Sequence, residues 1–177
     1  MNSDFEIING ELIQYHGTAD EIIIPENVTA IKNGAFYQNT SLKSVTIPKN
    51  VLRVENLPFQ LCTNLESITV SEDNPNYASV QGVLYDKNLK TLLRCPQALK
   101  DVSIPESVTD IGKWAFYFCN LETLKFPESV TDIRYGAFYC CFSLTEITLP
   151  DRVQNAENSA FKYCNKLNIT YQGLTFS

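Results

Sequence analysis

Four cysteines stand three residues beyond a phenylalanine: Cys62 after Phe59, Cys119 after Phe116, Cys141 after Phe138 and Cys164 after Phe161. Thiols at a recurring spacing suggest soft-metal ligation or redox exchange, and both need sulfurs that converge on one point. One thiol per repeat, with repeats stacked, gives instead a line of sulfurs in steps of about 4.8 Å. Small semi-apolar side chains filling one niche over and over satisfy that pattern. The expectation is a ladder of free thiols, with Asn39 in the corresponding place after Phe36. Cys95 lies outside the series, and Cys140 is expected on the surface side.

Other reactive groups are sparse. His16 is the single histidine, beside Gly17 and far in sequence from any cysteine or paired acid, and it reads as a surface turn residue. Glu72-Asp73-Asn74-Pro75 has one acidic pair but lacks the alternate-position oxygens of a calcium loop, so turn formation before Pro75 accounts for it. A Gly-rich phosphate loop, His-Glu-x-x-His and a nucleophile elbow are all missing from the sequence. No catalytic residue, metal or cofactor is expected.

The elements that position these residues come from an internal repeat. A unit apolar-Pro-x-x-Val-x-x-Ile-x-x-x-Ala-Phe begins at Ile24, Ile47, Ile104, Phe126 and Leu149, with prolines 25, 48, 105, 127 and 150. Successive units are offset by 23 residues, then, after a gap, by 22 and 23. Val28, Val51, Val108, Val130 and Val153 keep the first step, and Ile31, Val54, Ile111, Ile133 and Ala156 the second. A Leu-x-x-apolar-x-apolar segment precedes the units, as in Leu42/Val45/Ile47, Leu65/Ile68/Val70, Leu99/Val102/Ile104, Leu121/Leu124/Phe126 and Leu144/Ile147/Leu149. A unit this short cannot bury its own apolar face, whereas stacked copies share a continuous core. Alternation in Val45-Thr46-Ile47 and Ile147-Thr148-Leu149 gives short strands, expected to stack in parallel. Proline then turns the chain out of the sheet. The Val-x-x-Ile-x-x-x-Ala-Phe stretch is expected to be a turn or a single helical loop forming the convex wall.

The gap from Val70 to Ile104 is 34 residues, too long for one coil. Tyr77-x-x-Val80-x-Gly82-x-Leu84 echoes Phe5-x-Ile7-x-x-Gly10-x-Leu12. The expected organisation is one domain: an N-terminal capping hairpin over 5–24, repeats over 24–76 and 97–166, an inserted hairpin over 77–96, and a closing cap over 167–177. Three local departures stand out: Pro58 for alanine, Ala156 for isoleucine and Ala19 for the leucine that should open the first coil.

Composition excludes some partners. With a formal charge of -6 and Lys and Arg scattered singly, no basic stripe exists for phosphates, so nucleic acid is not expected. No apolar run approaches the roughly 18 residues of a membrane span. The opening Met1-Asn-Ser-Asp-Phe-Glu is not a leader, which places the chain in the cytoplasm if Met1 is the natural start.

The phrase Ile104-Pro-Glu-Ser-Val-Thr-Asp-Ile-Gly-Lys-Trp-Ala-Phe-Tyr-Phe-Cys resembles the BspA-like, treponemal-type leucine-rich repeat, and the likeness extends over nearly all of residues 5–171. Gly82-Val-Leu-Tyr and Leu92-Leu-Arg-Cys-Pro of the insert also resemble that family. The resemblance implies a mostly β, right-handed leucine-rich-repeat solenoid with short parallel strands. It also implies protein binding or adhesion at a bacterial cell surface.

Two surfaces are candidates for such a role. The outward sheet face carries Lys43, Ser44, Thr46; Glu66, Ser67, Thr69; Lys100, Asp101, Ser103; Glu122, Thr123, Lys125; and Thr145, Glu146, Thr148. Small hydroxyls flanked by mixed charge can accept a protein loop or a glycan, though Thr is also simply a good exposed strand residue. The second surface is an aromatic group after the repeat phenylalanines: Tyr37, Tyr117, Phe118, Tyr135, Tyr139, Phe142 and Tyr163. Stacked tyrosines can form an amphipathic contact surface, or pack as a wall with their hydroxyls in water. The functional expectation is a non-catalytic, monomeric recognition module for a protein or glycan; the alternative is a scaffold solenoid packing against another chain or domain.

Overall fold

The computed structural model describes residues 4–153, 155–157 and 159–171. The chain coils into a mostly-β repeat solenoid of about seven turns, with no helix among the described residues. Strands Glu21–Ile23, Ser44–Ile47 and Ser67–Val70 form one parallel sheet, in register at Ile22↔Val45↔Ile68. Thr123–Lys125, Glu146–Leu149 and Asn168–Tyr171 form another. Val45, Ile47, Ile68, Ile147 and Leu149 point inward and are buried, as period-two alternation requires. At each of the five repeat prolines the carbonyl accepts a hydrogen bond from the valine three residues on: Pro25–Val28, Pro48–Val51, Pro105–Val108, Pro127–Val130 and Pro150–Val153. The valine closes the turn and fills the core in one move.

The stretch after that valine differs from the expected loop. Ala30–Ile31 and Arg53–Val54 pair in parallel, as do Asp110–Ile111, Asp132–Ile133 and Asn155–Ala156, giving a second ladder. A lone helical turn leaves most of its own donors and acceptors unmet. Stacked coils satisfy them on the neighbour instead, as where the Glu55 and Arg134 amides donate to the carbonyls of Ile31 and Ile111. A third ladder runs through the phenylalanine turn, with Phe36, Phe116 and Phe138 amides donating to Pro58, Ala137 and Ala160 carbonyls. Pro58 fits because this ladder uses its carbonyl and not the amide it lacks. The residue two beyond each phenylalanine, namely Gln38, Leu61, Phe118, Cys140 and Tyr163, is left-handed, with φ of 56, 59, 57, 59 and 65°. Inside, the rings stack: Phe36 on Phe59 at 5.0 Å, Phe116 on Phe138 at 4.7 Å and Phe138 on Phe161 at 5.2 Å.

At the N-terminal end, Phe5–Ile8 and Glu11–Tyr15 pair antiparallel, and the second of these continues in parallel to Ala30–Ile31. Tyr15 covers the Phe36 ring, with centroids 5.8 Å apart. The insert holds three strands rather than one hairpin: Tyr77–Val80, Val83–Asp86 and Thr91–Arg94, antiparallel in succession. Its third strand begins a new block much as the cap begins the first. Leu92 pairs with Ile111 as Leu12 pairs with Ile31, and the Cys95 amide meets the Ala115 carbonyl as the Tyr15 amide meets that of Ala35. The molecule accordingly has two packed cores, one drawn from residues 12–84 and one from 83–160.

The expected strand over 99–104 does not form. The place beside Ser67–Val70 is taken by the insert, whose Gly82 carbonyl accepts from the Ile68 amide. Gly82, at φ +78°, presses so close that an added Cβ would lie 3.1 Å from Ser67 Oγ and 3.3 Å from the Glu66 carbonyl. Part of the expected closing cap, residues 172–177, lies outside the described residues; 168–171 extend the last parallel sheet.

Candidate functional site

All six cysteines are free thiols. In the ladder, Cys62 Sγ donates to the Phe36 carbonyl at 3.0 Å, Cys141 to Phe116 at 2.9 Å and Cys164 to Phe138 at 2.8 Å. Asn39 does the same in its coil, donating to the Gly17 carbonyl at 2.8 Å. The thiols thus add a second hydrogen bond to carbonyls that already accept a turn amide, from Asn39, Cys119 and Cys141 respectively. Cys119 reaches toward the Cys95 and Pro96 carbonyls, and Cys95 belongs to the second core. Cys140, expected on the surface side, is buried, although Gln38 and Tyr163, left-handed at the same turn position in other coils, are exposed. Burial raises the Cys62 pKa to about 11 and pushes those of Cys95 and Cys140 upward. Cys164 is half-buried, and the neighbouring Cys141 side chain lowers its pKa.

The remaining reactive residues do not assemble. His16 Nε2 lies 3.2 Å from Glu6 Oε2, and both are exposed. Asn74 is wholly buried: its amide donates to Pro48 and Val51 carbonyls at 2.9 Å each, and its oxygen accepts from the Asn76 and Tyr77 amides. It locks the turn into the preceding coil. No group of three or more His, Cys, Asp or Glu residues suited to a metal ion occurs among the described residues.

The outward sheet face is divided. Lys43, Ser44, Thr46, Glu66, Ser67 and Thr69 lie on the first parallel sheet, and Glu122, Thr123, Lys125, Thr145, Glu146 and Thr148 on or beside the second, all exposed or half-buried. Between them, where Lys100, Asp101 and Ser103 were expected to continue a strand, lies a notch of about 360 Å³. Gln81 of the insert walls one side, Asp101, Val102 and Ser103 the floor, and Thr123 and Lys125 the other side. The candidate side chains of the two sheets are polar and none is aromatic, but Ile23, in register with Thr46 on the edge strand of the first sheet, is 70% exposed.

The aromatic wall is denser than the sequence list suggested. Its centre is Trp114, which sequence reasoning missed because it precedes the repeat phenylalanine instead of following it. The indole meets Tyr117, Tyr135 and Tyr139 edge-on, with centroids 5.7, 5.1 and 5.4 Å away. Tyr139 continues to Tyr163 at 5.1 Å, and Phe118 meets Phe142 at 5.5 Å. Tyr37, Tyr135, Phe142 and Tyr163 are 44–50% exposed. Tyr117 is the exception: it is buried, and its hydroxyl lies 3.2 Å from Gln60 Nε2. Lys162 Nζ stands 5.2 Å over the Tyr163 ring, and Lys113 precedes the indole, exposed.

Trp114 is also held in an unfavourable backbone. Its φ is +59°, whereas Gly34 and Gly136 occupy the same place, two residues before phenylalanine, in other coils. A bulky residue in the left-handed region costs about 1–2 kcal/mol. The indole rests flat on the next coil where Gly136 leaves room.

Leucine-anchored coils with three backbone ladders define a leucine-rich-repeat solenoid. The chain belongs to the BspA type leucine-rich-repeat family, whose model matches six copies over residues 6–92 and 89–173. Among solved structures it is similar to a leucine-rich repeat protein from Eubacterium ventriosum, at 32% identity and TM-score 0.75, covering 86% of this chain and 42% of that one. It is also similar to a leucine-rich repeat protein from Bacteroides ovatus, at 25% identity and TM-score 0.56, covering 90% of this chain and 41% of that one. The pneumococcal vaccine antigen PcpA shares the fold at 24% identity and TM-score 0.62, covering 86% of this chain and 50% of that one. The chain spans half or less of the length of these three structures. Among curated proteins none matches it. No helix among the described residues is long and apolar enough to cross a membrane.

Proposed function

We propose that this chain is a non-catalytic recognition module that binds a protein partner through the aromatic wall centred on Trp114. The observation that carries the reading is the indole itself: a partly buried tryptophan held at φ +59° where two other coils have glycine. Packing alone does not call for that side chain, since Gly34 serves at the same place in the first block. Tryptophan and tyrosine, rigid and amphipathic, are the residues that dominate binding energy at interfaces. Lys162 stands over the Tyr163 ring, so the partner segment that fits best combines apolar and acidic side chains. A rigid solenoid loses little conformational entropy on binding, which favours affinity from a small patch.

The scaffold reading uses the same wall and differs in permanence. The polar sheet face, with its notch beside Gln81, is the competing surface. Selection from a displayed random-peptide library on the intact chain separates them. Peptides rich in acidic and aromatic residues, with affinity lost in Trp114→Gly and Tyr135→Ser but kept in Thr69→Asp and Thr148→Asp, support the wall. Peptides lost only with the threonine changes contradict it.

A further inference from the structure

The strand Glu21–Ile23 is the edge of the first parallel sheet: it pairs with Ser44–Ile47 on one side and with no strand of the described residues on the other. Parallel pairing uses alternate residues. The Ile24 amide donates to Thr46 and the Asp20 carbonyl accepts from Ser44, so the amides and carbonyls of Glu21 and Ile23 face away from the ladder. On that side they make no hydrogen bond to any described residue. The capping hairpin leaves this edge open. Glu11–Tyr15 stacks on Ala30–Ile31 and the Tyr15 ring on Phe36, which closes the second ladder and the phenylalanine turn of the first coil. Residues 16–20 then return to the sheet without laying a strand beside Glu21–Ile23. Burial records the gap: Val45 and Ile68, in register with Ile22, are fully buried, whereas Ile22 is half-buried and Ile23 is 70% exposed. The surroundings are acidic. Glu21 is exposed and has no basic partner among the described residues, Asp4 stands beside Gly17 where the chain approaches the strand, and Asp20 has only a solvent-exposed 3.6 Å contact with Lys43.

We propose that the open edge at Glu21–Ile23 accepts an extended, basic segment of a partner protein as an added strand, a site separate from the aromatic wall and opposite to it in charge preference. An unpaired edge bearing two isoleucines is a template for another strand, and its two free amides and two free carbonyls supply the main-chain bonds. Side chains directly opposite across such a pair interact. On the outward face the segment sets lysine or arginine against Glu21 and, two residues away, an apolar side chain against Ile23; the residue between them faces inward onto Ile22. Ile22 then gains the cover that Val45 and Ile68 already have. A second copy of the same strand is the poorer occupant, because pairing two such edges brings Asp20 and Glu21 of both copies together.

The test titrates the intact ¹⁵N-labelled chain with an acetylated, amidated peptide that carries an arginine-valine-isoleucine core between serines. The expected result is a saturable shift largest at the Glu21 and Ile23 amides, with Trp114 emission unmoved. The same peptide N-methylated at every core amide should not bind, since it cannot donate to the edge carbonyls. Glutamate in place of the core arginine, or Glu21→Lys or Ile23→Lys in the chain, should weaken binding roughly fivefold or more. Glu21 and Ile23 amides unmoved at the highest peptide concentration, binding retained by the N-methylated peptide, or equal affinity for the glutamate peptide overturns the proposal. So does a response of Trp114 emission, which would assign the peptide to the wall, or a chain that dimerises through this edge in sedimentation instead of taking the peptide. Should Ile23→Lys fail to fold, the three peptides on the unaltered chain still decide.

Discussion

The indole of Trp114 lies against the backbone of Gly136 so closely that a Cβ at 136 would come within 2.4 Å of two ring carbons. The contact joins adjacent coils and fixes the ring that the other wall tyrosines surround. Gly136 is itself left-handed, at φ +63°, so its lack of a side chain serves both backbone and neighbour.

Gly136→Ala should therefore displace the indole as well as strain the turn. The expected outcome is a red-shifted Trp114 emission with a stability loss of about 1–3 kcal/mol by denaturant titration. An unchanged emission maximum would show that the ring does not depend on this seat.

Trp114→Gly should behave differently. Relief of left-handed strain offsets part of the lost ring contacts, so stability should change by less than about 1.5 kcal/mol. Peptide binding at the wall should nonetheless be lost. A large destabilisation would make the tryptophan a packing residue and remove the reason for reading it as functional.

Asn74→Ala removes both donors to Pro48 and Val51 carbonyls and the acceptor for two amides, all in a buried place. The expected cost is roughly 2–4 kcal/mol in chemical denaturation. Added calcium should leave the wild-type midpoint unchanged, because the Asn74 oxygen is already occupied by amide donors.

Thiol reactivity should rank by coil. Cys164, half-buried with its pKa lowered by the Cys141 thiol, should react first with a maleimide near pH 8. Cys62, held up at about 11 by burial, should react only through unfolding. Mass mapping of the first modified site checks the order, and early labelling of Cys62 would contradict it.

Glu55 should mark the acid limb of stability. The Lys32 ammonium foremost, and the Asn33 amide next, lower its carboxyl below the ordinary 4.5. A depressed folded pKa stabilises the fold above the unfolded value, and that contribution disappears as pH falls through the folded one. Glu55→Gln should thus lower the melting temperature at pH 7 and make no difference near pH 2. An equal effect at both would assign the loss to packing.

Much of this architecture was readable from residue spacing. Val28, Val51, Val108, Val130 and Val153 each close the same proline turn, and Phe36, Phe59, Phe116, Phe138 and Phe161 hold the ring stacks, because a repeat forces one environment on every copy. The second ladder at Ala30–Ile31 was not readable. Its two-residue strands carry no alternation and exist only because a neighbouring coil supplies acceptors. The missing strand at 99–104 shows the converse: Leu99, Val102 and Ile104 have strand spacing, yet the insert occupies the partner's place through Gly82. Of the aromatic wall, most rings were visible as a sequence cluster. Trp114 was hidden because its significance is a left-handed backbone, which spacing does not encode, and Tyr117 was misplaced because Trp114, Phe118, Tyr139 and Gln60 cover it, whereas Tyr37 at the same turn position is exposed.

The chain contains a single tryptophan, so its fluorescence reports the centre of the wall alone. Titrating the intact protein with a selected peptide ligand and following Trp114 emission and acrylamide quenching is the most direct test of the recognition surface. Binding at the wall predicts a blue shift and reduced quenching that saturate with the ligand. Emission and quenching unchanged at full occupancy would place the ligand elsewhere and refute the account.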